Sequence, residues 1–163
     1  VGTIVAELSG ATFTSKGWPL EGKTINRTLT STASPVATSS YSSLELALAA
    51  ARTAEDNRGR DVLVLDVREL TPIFDYFVIA TGSSRRQLHA IGDEIDRVLA
   101  REYRQRRIGI EGYEGSRWIL MDYGDVVVHL FDDEAREYYS LDLLWSGAKR
   151  VPVKVDPPAL KAV

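Results

Sequence analysis

The sequence predicts an α/β domain: a mixed parallel and antiparallel sheet of about five strands, flanked by helices. Three observations carry that expectation. Short runs rich in β-branched and aromatic residues alternate along the chain with segments whose apolar residues recur every three or four positions, the signature of strands interleaved with helices. The stretch from Trp118 to Phe131, WILMDYGDVVVHLF, holds two apolar runs about a Tyr-Gly turn, and Gly124 supplies the positive φ that a tight hairpin demands. Asp61 to Val67 is strongly apolar with little alternation, as a strand covered on both faces would be.

Each element has a local cause. Residues 1–40 are dominated by Ser and Thr, carry few charges and contain Gly17-Trp18-Pro19 and Ser34-Pro35, so a flexible leader is expected there. Its basic residues, Lys16, Lys23 and Arg27, fall short of the Arg-rich amphipathic helix of an organelle presequence, which favours a bacterial cytoplasm over a plastid or mitochondrion. Order is expected from residue 41. Ser42-x-x-Glu45 forms a capping box, Leu44, Leu48, Ala51 and Glu55 share one helical face, and Gly59 closes that helix. The Asp61 to Val67 strand follows. Thr71-Pro72 interrupts before a second strand from Tyr76 to Thr81.

Gly82-Ser83-Ser84 turns the chain into a helix capped by Ser84-x-x-Gln87, with a stripe of Leu88, Ile91, Ile95, Val98 and Leu99. Arg101, Arg104, Arg106 and Arg107 crowd the end of that helix. Positive charge there complements the carbonyl end of the macrodipole, an explanation weighed above an RNA contact because Glu102 dilutes the patch. Ile108 to Gly112 forms a short strand ahead of the hairpin, and residues 132–146 a short helix and packed turn ending at Trp145. The domain thus spans 41–146. Pro152 and Pro157-Pro158 mark 147–163 as an extended tail.

Composition narrows the chemistry. With 163 residues, 44% hydrophobic and 26% charged, the chain is of single-domain size with a globular balance, and no apolar run approaches the roughly 20 residues that span a bilayer. The absence of cysteine removes disulfides, thiolate metal sites and a cysteine nucleophile. A net charge of −3 argues against a generic nucleic-acid binder. Gly82-Ser83 at a strand end is a candidate phosphate cradle, extended by Arg85 and Arg86, and makes a nucleotide- or RNA-binding protein the alternative function. Phosphoryl transfer would also need closely spaced strand carboxylates for magnesium, and no strand offers Asp-x-Asp. Asp122 and Asp125 straddle a turn. His89 and His129 are not spaced as a ligand pair, so no metal and no cofactor is expected.

The ordered set of motifs resembles the ribosomal silencing factor, or Iojap-like, family from about Leu44 to Trp145. Its landmarks are Val64-Leu65-Asp66-Val67, Asp75-Tyr76-Phe77-Val78-Ile79-Ala80-Thr81-Gly82, Arg86-Gln87, and Glu111-Gly112 followed by Trp118. Asp122-Tyr123-Gly124-Asp125-Val126-Val127-Val128-His129 and Arg136-x-Tyr138-Tyr139 complete it. The resemblance implies a sheet related to the nucleotidyltransferase fold and a non-enzymatic repressor of translation. Such a factor docks on the large ribosomal subunit, chiefly through large-subunit ribosomal protein fourteen with minor ribosomal RNA contact, and blocks joining of the small subunit. A homodimer is a further implication.

Strand alternation and the resemblance together nominate a contact patch. Trp118 and Leu120 share one face of their strand, with Asp122 at its rim, while Ile119 and Met121 occupy the other. His129 shares its face with Val127 and Phe131. An exposed Trp-Leu patch beside carboxylates would be a compact hot spot for a basic partner. The expected contact residues are therefore Trp118, Leu120, Asp122, Tyr123, Asp125, His129 and Phe131, with Asp75, Tyr76, Arg136 and Tyr139 in support. Leu141, Leu144 and Trp145 are assigned to the core.

Overall fold

A computed structural model describes residues 5–8, 11–14, 41–115 and 117–154. In chain order the elements are β1 (Val5–Leu8), β2 (Ala11–Thr14), α1 (Ser43–Asp56), β3 (Arg60–Asp66), β4 (Tyr76–Thr81) and α2 (Arg85–Glu102). They continue with β5 (Gly109–Glu111), β6 (Trp118–Asp122), β7 (Val126–Phe131), α3 (Asp133–Tyr139), α4 (Leu141–Leu144) and β8 (Lys149–Val151). β1 and β2 pair antiparallel as a separate two-stranded sheet. The leader expected over 1–40 therefore contains paired strands; its other positions lie outside the described residues, as does the tail beyond 154.

The main sheet has six strands in the order β5-β6-β7-β4-β3-β8. β4 and β7 run parallel, Tyr76 opposite Val126 and Thr81 opposite Phe131. The other neighbouring pairs of this sheet are antiparallel. The expected mixed α/β architecture is observed, with six strands for the about five expected, the sixth coming from the stretch after Gly147. Lys149–Val151 is not free chain: it pairs with Val64 to Asp66 and forms the sixth strand. Backbone donors and acceptors on the edge of β3 find partners there, which an extended tail alone would leave to water.

Two core layers cover the sheet. On one face, α1 and α2 bury Leu46, Leu48, Leu88, Ile91, Ile95 and Leu99 against Val64, Val78, Ile119, Met121, Val128 and Leu130. On the other, α3, α4 and their flanks bury Ala135, Leu141 and Trp145 against Leu65, Phe77, Ile79, Trp118, Leu120 and Phe131. Every residue of β4, β6 and β7 is consequently buried. That is why these strands are apolar on both parities, with side chains alternating between two covered faces.

The helix boundaries follow their caps. The Ser42 hydroxyl accepts the Glu45 amide while the Glu45 carboxylate accepts the Ser42 amide, completing the expected box. At the other end of α1 the Arg58 amide donates to Glu55 and the Gly59 amide to Ala54, a Schellman closure. The left-handed residue of that closure is Arg58, at φ 62°, rather than the glycine. Gly59 is needed for space: a Cβ there would sit 2.7 Å from the Ala54 carbonyl oxygen. No helix among the described residues is long and apolar enough to cross a membrane.

Candidate functional site

The hairpin turns as expected. Gly124 has φ 95°, the Tyr123 amide donates to the Val126 carbonyl at 2.9 Å, and Asp122 Oδ1 accepts the Gly124 amide at 2.7 Å. The alternation is also as expected: Trp118, Leu120, His129 and Phe131 share one face of the sheet and Ile119 and Met121 the other. The exposure is not. Trp118 retains 1% of its surface, Leu120 2%, and His129 and Phe131 none, because α3 and α4 fold back over this face. The exposed Trp-Leu patch expected from the sequence is therefore corrected to an aromatic core layer.

Within that layer the Trp118 ring lies 4.8 Å from both Phe131 and Tyr139, centroid to centroid, and its Nε1–H donates to His129 Nδ1 at 3.2 Å. Accepting at Nδ1 places the His129 proton on Nε2. Burial first, and then the Arg136 charge, depress the His129 pKa from 6.5 to about 3, so the imidazole is neutral at ordinary pH.

The remaining nominated residues divide into brackets of the fold and surface groups. Asp122 is buried as the cap of its turn, and Tyr123 is buried with its hydroxyl donating to Asp96 at 3.1 Å; burial raises the Tyr123 pKa, so it stays a phenol. Tyr76 is buried beneath the Arg68 guanidinium, 5.2 Å from the ring centre. Asp75 accepts the Ser43 hydroxyl at 2.6 Å and so ties α1 to the start of β4. Asp125 is exposed, while its carbonyl accepts the amides of Asp75 and Tyr76. Arg136 and Tyr139 are half-buried; Arg136 donates to Thr81 Oγ1 at 3.2 Å and lies 3.6 Å from Asp142.

An open cleft of about 760 Å³ lies on the outer side of the same layer, lined by Arg117, Trp118, Glu134, Ala135, Glu137, Tyr138 and Tyr139. Asp132 begins α3 by accepting the Ala135 amide at 2.8 Å, and Ser140, left-handed at φ 42°, separates α3 from α4. Ala135 and Tyr139 thereby face the sheet, and Tyr138 projects outward. Tyr138 is 82% exposed and Leu143, on α4, 70%. Arg117 pairs with Asp132 and Glu134 along the rim, and Glu137 is exposed beside it.

Sequence reasoning missed Tyr138 and Leu143 as surface residues. The signal was present in the Tyr138-Tyr139 pair, since successive residues of a helix point about 100° apart and one sheet cannot cover both.

The Ser83 and Gln87 donors of the proposed phosphate cradle are met from within. Gln87 Oε1 accepts the Ser83 amide at 2.7 Å and the Ser83 hydroxyl at 2.8 Å, while the Gln87 amide donates to Ser84 Oγ. Gln87 Nε2 then reaches the carbonyls of Asn57 and Arg58. The turn's polar groups knit the α1 end to the α2 start.

Residues 40–162 match the family model described as ribosomal silencing factor during starvation. A protein named ribosomal silencing factor RsfS from Halalkalibacterium halodurans is 38% identical over 113 residues, which is 69% of this chain and 96% of the relative. One of the same name from Bacillus subtilis is 41% identical over 99 residues, 61% of this chain and 83% of the relative. A crystal structure of a Chromobacterium violaceum protein superposes with a TM-score of 0.62 at 36% identity, covering 74% of this chain and 98% of that one. On the extent of the family match and the agreement of fold, this chain belongs to the ribosomal silencing factor family.

Proposed function

We propose that this protein represses translation without making or breaking a bond, by docking its α3–α4 face on the large ribosomal subunit and sterically blocking the small subunit. Large-subunit ribosomal protein fourteen is the partner on this reading, and the bacterial cytoplasm the place of action. The observation that carries the proposal is Tyr138, 82% exposed in the lining of a cleft that it shares with Ala135, Tyr139 and the edge of Trp118. A large exposed aromatic that burial would reward, set in a cleft with other aromatic lining, is the composition of an interface centre. Glu137, beside a Glu134 that Arg117 already pairs, gives that centre a carboxylate for a basic protein surface.

The nominated residues take different parts in this scheme. Tyr139 and the exposed Asp125 remain direct contact candidates, and Arg136, bonded to Thr81 and close to Asp142, ties α3 to β4 and α4. Trp118, Leu120, His129 and Phe131 act as the platform that holds α3. Family membership supports the ribosomal role. A standard interface of about 1,600 Å² suffices for tight binding when its centre is well packed.

Co-sedimentation tests this. The wild-type protein should pellet with purified large subunits and reduce their joining with small subunits, and Tyr138→Ala should lose both effects while keeping its fold. Retention of full binding by Tyr138→Ala and Leu143→Ala together would move the docking site elsewhere. Concentration-dependent dimerisation that competes with subunit binding would place a second copy of the chain on the same face.

A further inference from the structure

The arginines at the end of α2 sort into three kinds. Arg101 lies in the last helical turn, where the macrodipole accounts for it. Arg107 donates to Asp96 Oδ2 at 2.8 Å. Arg104 and Arg106 lie past the C-cap at Tyr103, beyond the turn in which the dipole acts. Arg101, Arg104 and Arg106 are all exposed, and among the described residues no carboxylate lies within ion-pair distance of them, although the Arg101 charge also acts on Glu94. Glu102, which dilutes the cluster in sequence, is exposed beside Arg101, and Arg97 one turn earlier is paired with Glu94.

The segment that carries these cations is held in place. The Gln105 amide donates to Leu99 at 2.9 Å, its side chain to the Tyr123 carbonyl at 3.0 Å, and the Ile108 amide to Asp122 at 2.7 Å. Arg104 adopts φ 52°, a conformation most residues avoid, so its direction is set by the bracketing bonds rather than by local preference. The patch sits at the Asp122 end of β6, whereas the cleft sits at the Trp118 end. Five residues of strand separate the two, roughly 14 Å.

We propose that Arg101, Arg104 and Arg106 form a second contact point, a phosphate clamp for an RNA backbone. Exposed cations gain little from a protein carboxylate, since water screens the pair. Against RNA the same cations release condensed counterions, and a guanidinium fork matches the phosphate oxygens. The proposal takes the ribosomal setting from the function proposed above, but the contact itself is defined by phosphate chemistry.

Two arms test it with the full chain. In the first, a labelled RNA hairpin is titrated over a range of salt with wild type, with Arg101→Gln/Arg104→Gln/Arg106→Gln, and with Arg52→Gln/Lys154→Gln as a charge control. The triple variant should bind roughly tenfold more weakly, with a log K against log salt slope shallower by about 2 to 3, while the control changes less. In the second, large-subunit sedimentation should show the same loss of slope for the triple variant, and loss of affinity at unchanged slope for Tyr138→Ala. An unchanged slope and affinity in the triple variant overturn the clamp, and so does preference of the patch for a poly-glutamate peptide over RNA. Failure of wild type to pellet with subunits would instead sink the docking function, and the hairpin arm would still judge the clamp.

Discussion

The Trp118 indole donates a hydrogen bond to His129 Nδ1 at 3.2 Å from the neighbouring strand, so the indole N–H and this one imidazole nitrogen satisfy each other beneath α3. A buried indole N–H and a buried imidazole nitrogen would each cost free energy alone. Paired, they lock the imidazole tautomer and hold the indole in place behind the cleft. This contact converts residues nominated as an exposed patch into the support of a surface made by others.

The Trp118 and Tyr138 roles separate by stability. Trp118→Ala should lower unfolding free energy by about 3 to 5 kcal/mol, because a fully buried large aromatic is removed. Tyr138→Ala should stay within about 0.5 kcal/mol of wild type, as an exposed side chain does. Urea denaturation of both variants checks the pair, and near-wild-type stability of Trp118→Ala would return the indole to the surface.

Acid should weaken the fold through His129. Its folded pKa, about 3, lies below the ordinary 6.5, so the folded state resists a proton that the unfolded chain accepts. Stability from this group is fully present above pH 6.5 and is lost as pH falls toward 3, at a limiting slope of about 1.4 kcal/mol per pH unit. Between pH 6 and pH 5, above the main carboxylate range, His129→Gln should flatten the dependence of unfolding free energy on pH. A slope identical to wild type in that interval would refute the assignment.

Trp145 tests the cost of an unmet donor. Its Nε1 is buried with no hydrogen-bond partner among the described residues, while its ring meets Phe77 edge to face at 4.8 Å. Trp145→Phe keeps the apolar ring and removes the donor, so lost packing and relieved desolvation should cancel to within about 1 kcal/mol. Trp145→Ala should cost about 3 to 5 kcal/mol. Thermal unfolding compares the two, and equal losses would mean that the indole N–H is satisfied.

The α1 closure predicts opposite signs at adjacent positions. Arg58→Gly places the residue suited to φ 62° where the turn needs it and should leave stability unchanged or raise it by up to about 1 kcal/mol. Gly59→Ala forces a methyl group against the Ala54 carbonyl and should cost about 1 to 3 kcal/mol. Chemical denaturation of the two single variants decides it; a stabilising Gly59→Ala would show that the backbone relaxes.

What the sequence determined by itself was local. The Ser42 box, the Ser84 cap, the α2 stripe, the Gly124 turn and the face parity of Trp118 and Leu120 each depend on a few neighbouring residues and on fixed helix and strand periods. Tertiary structure decided what those periods cannot encode: which faces are covered. Parity places Trp118 and His129 together but is silent on whether α3 folds back over them, and the same apolar strand serves as surface or core accordingly. Pairing of Lys149–Val151 with β3, and the outward turn of Tyr138, likewise depend on segments distant in sequence meeting in space. Burial is a property of the partner layer, and only the folded chain supplies that layer.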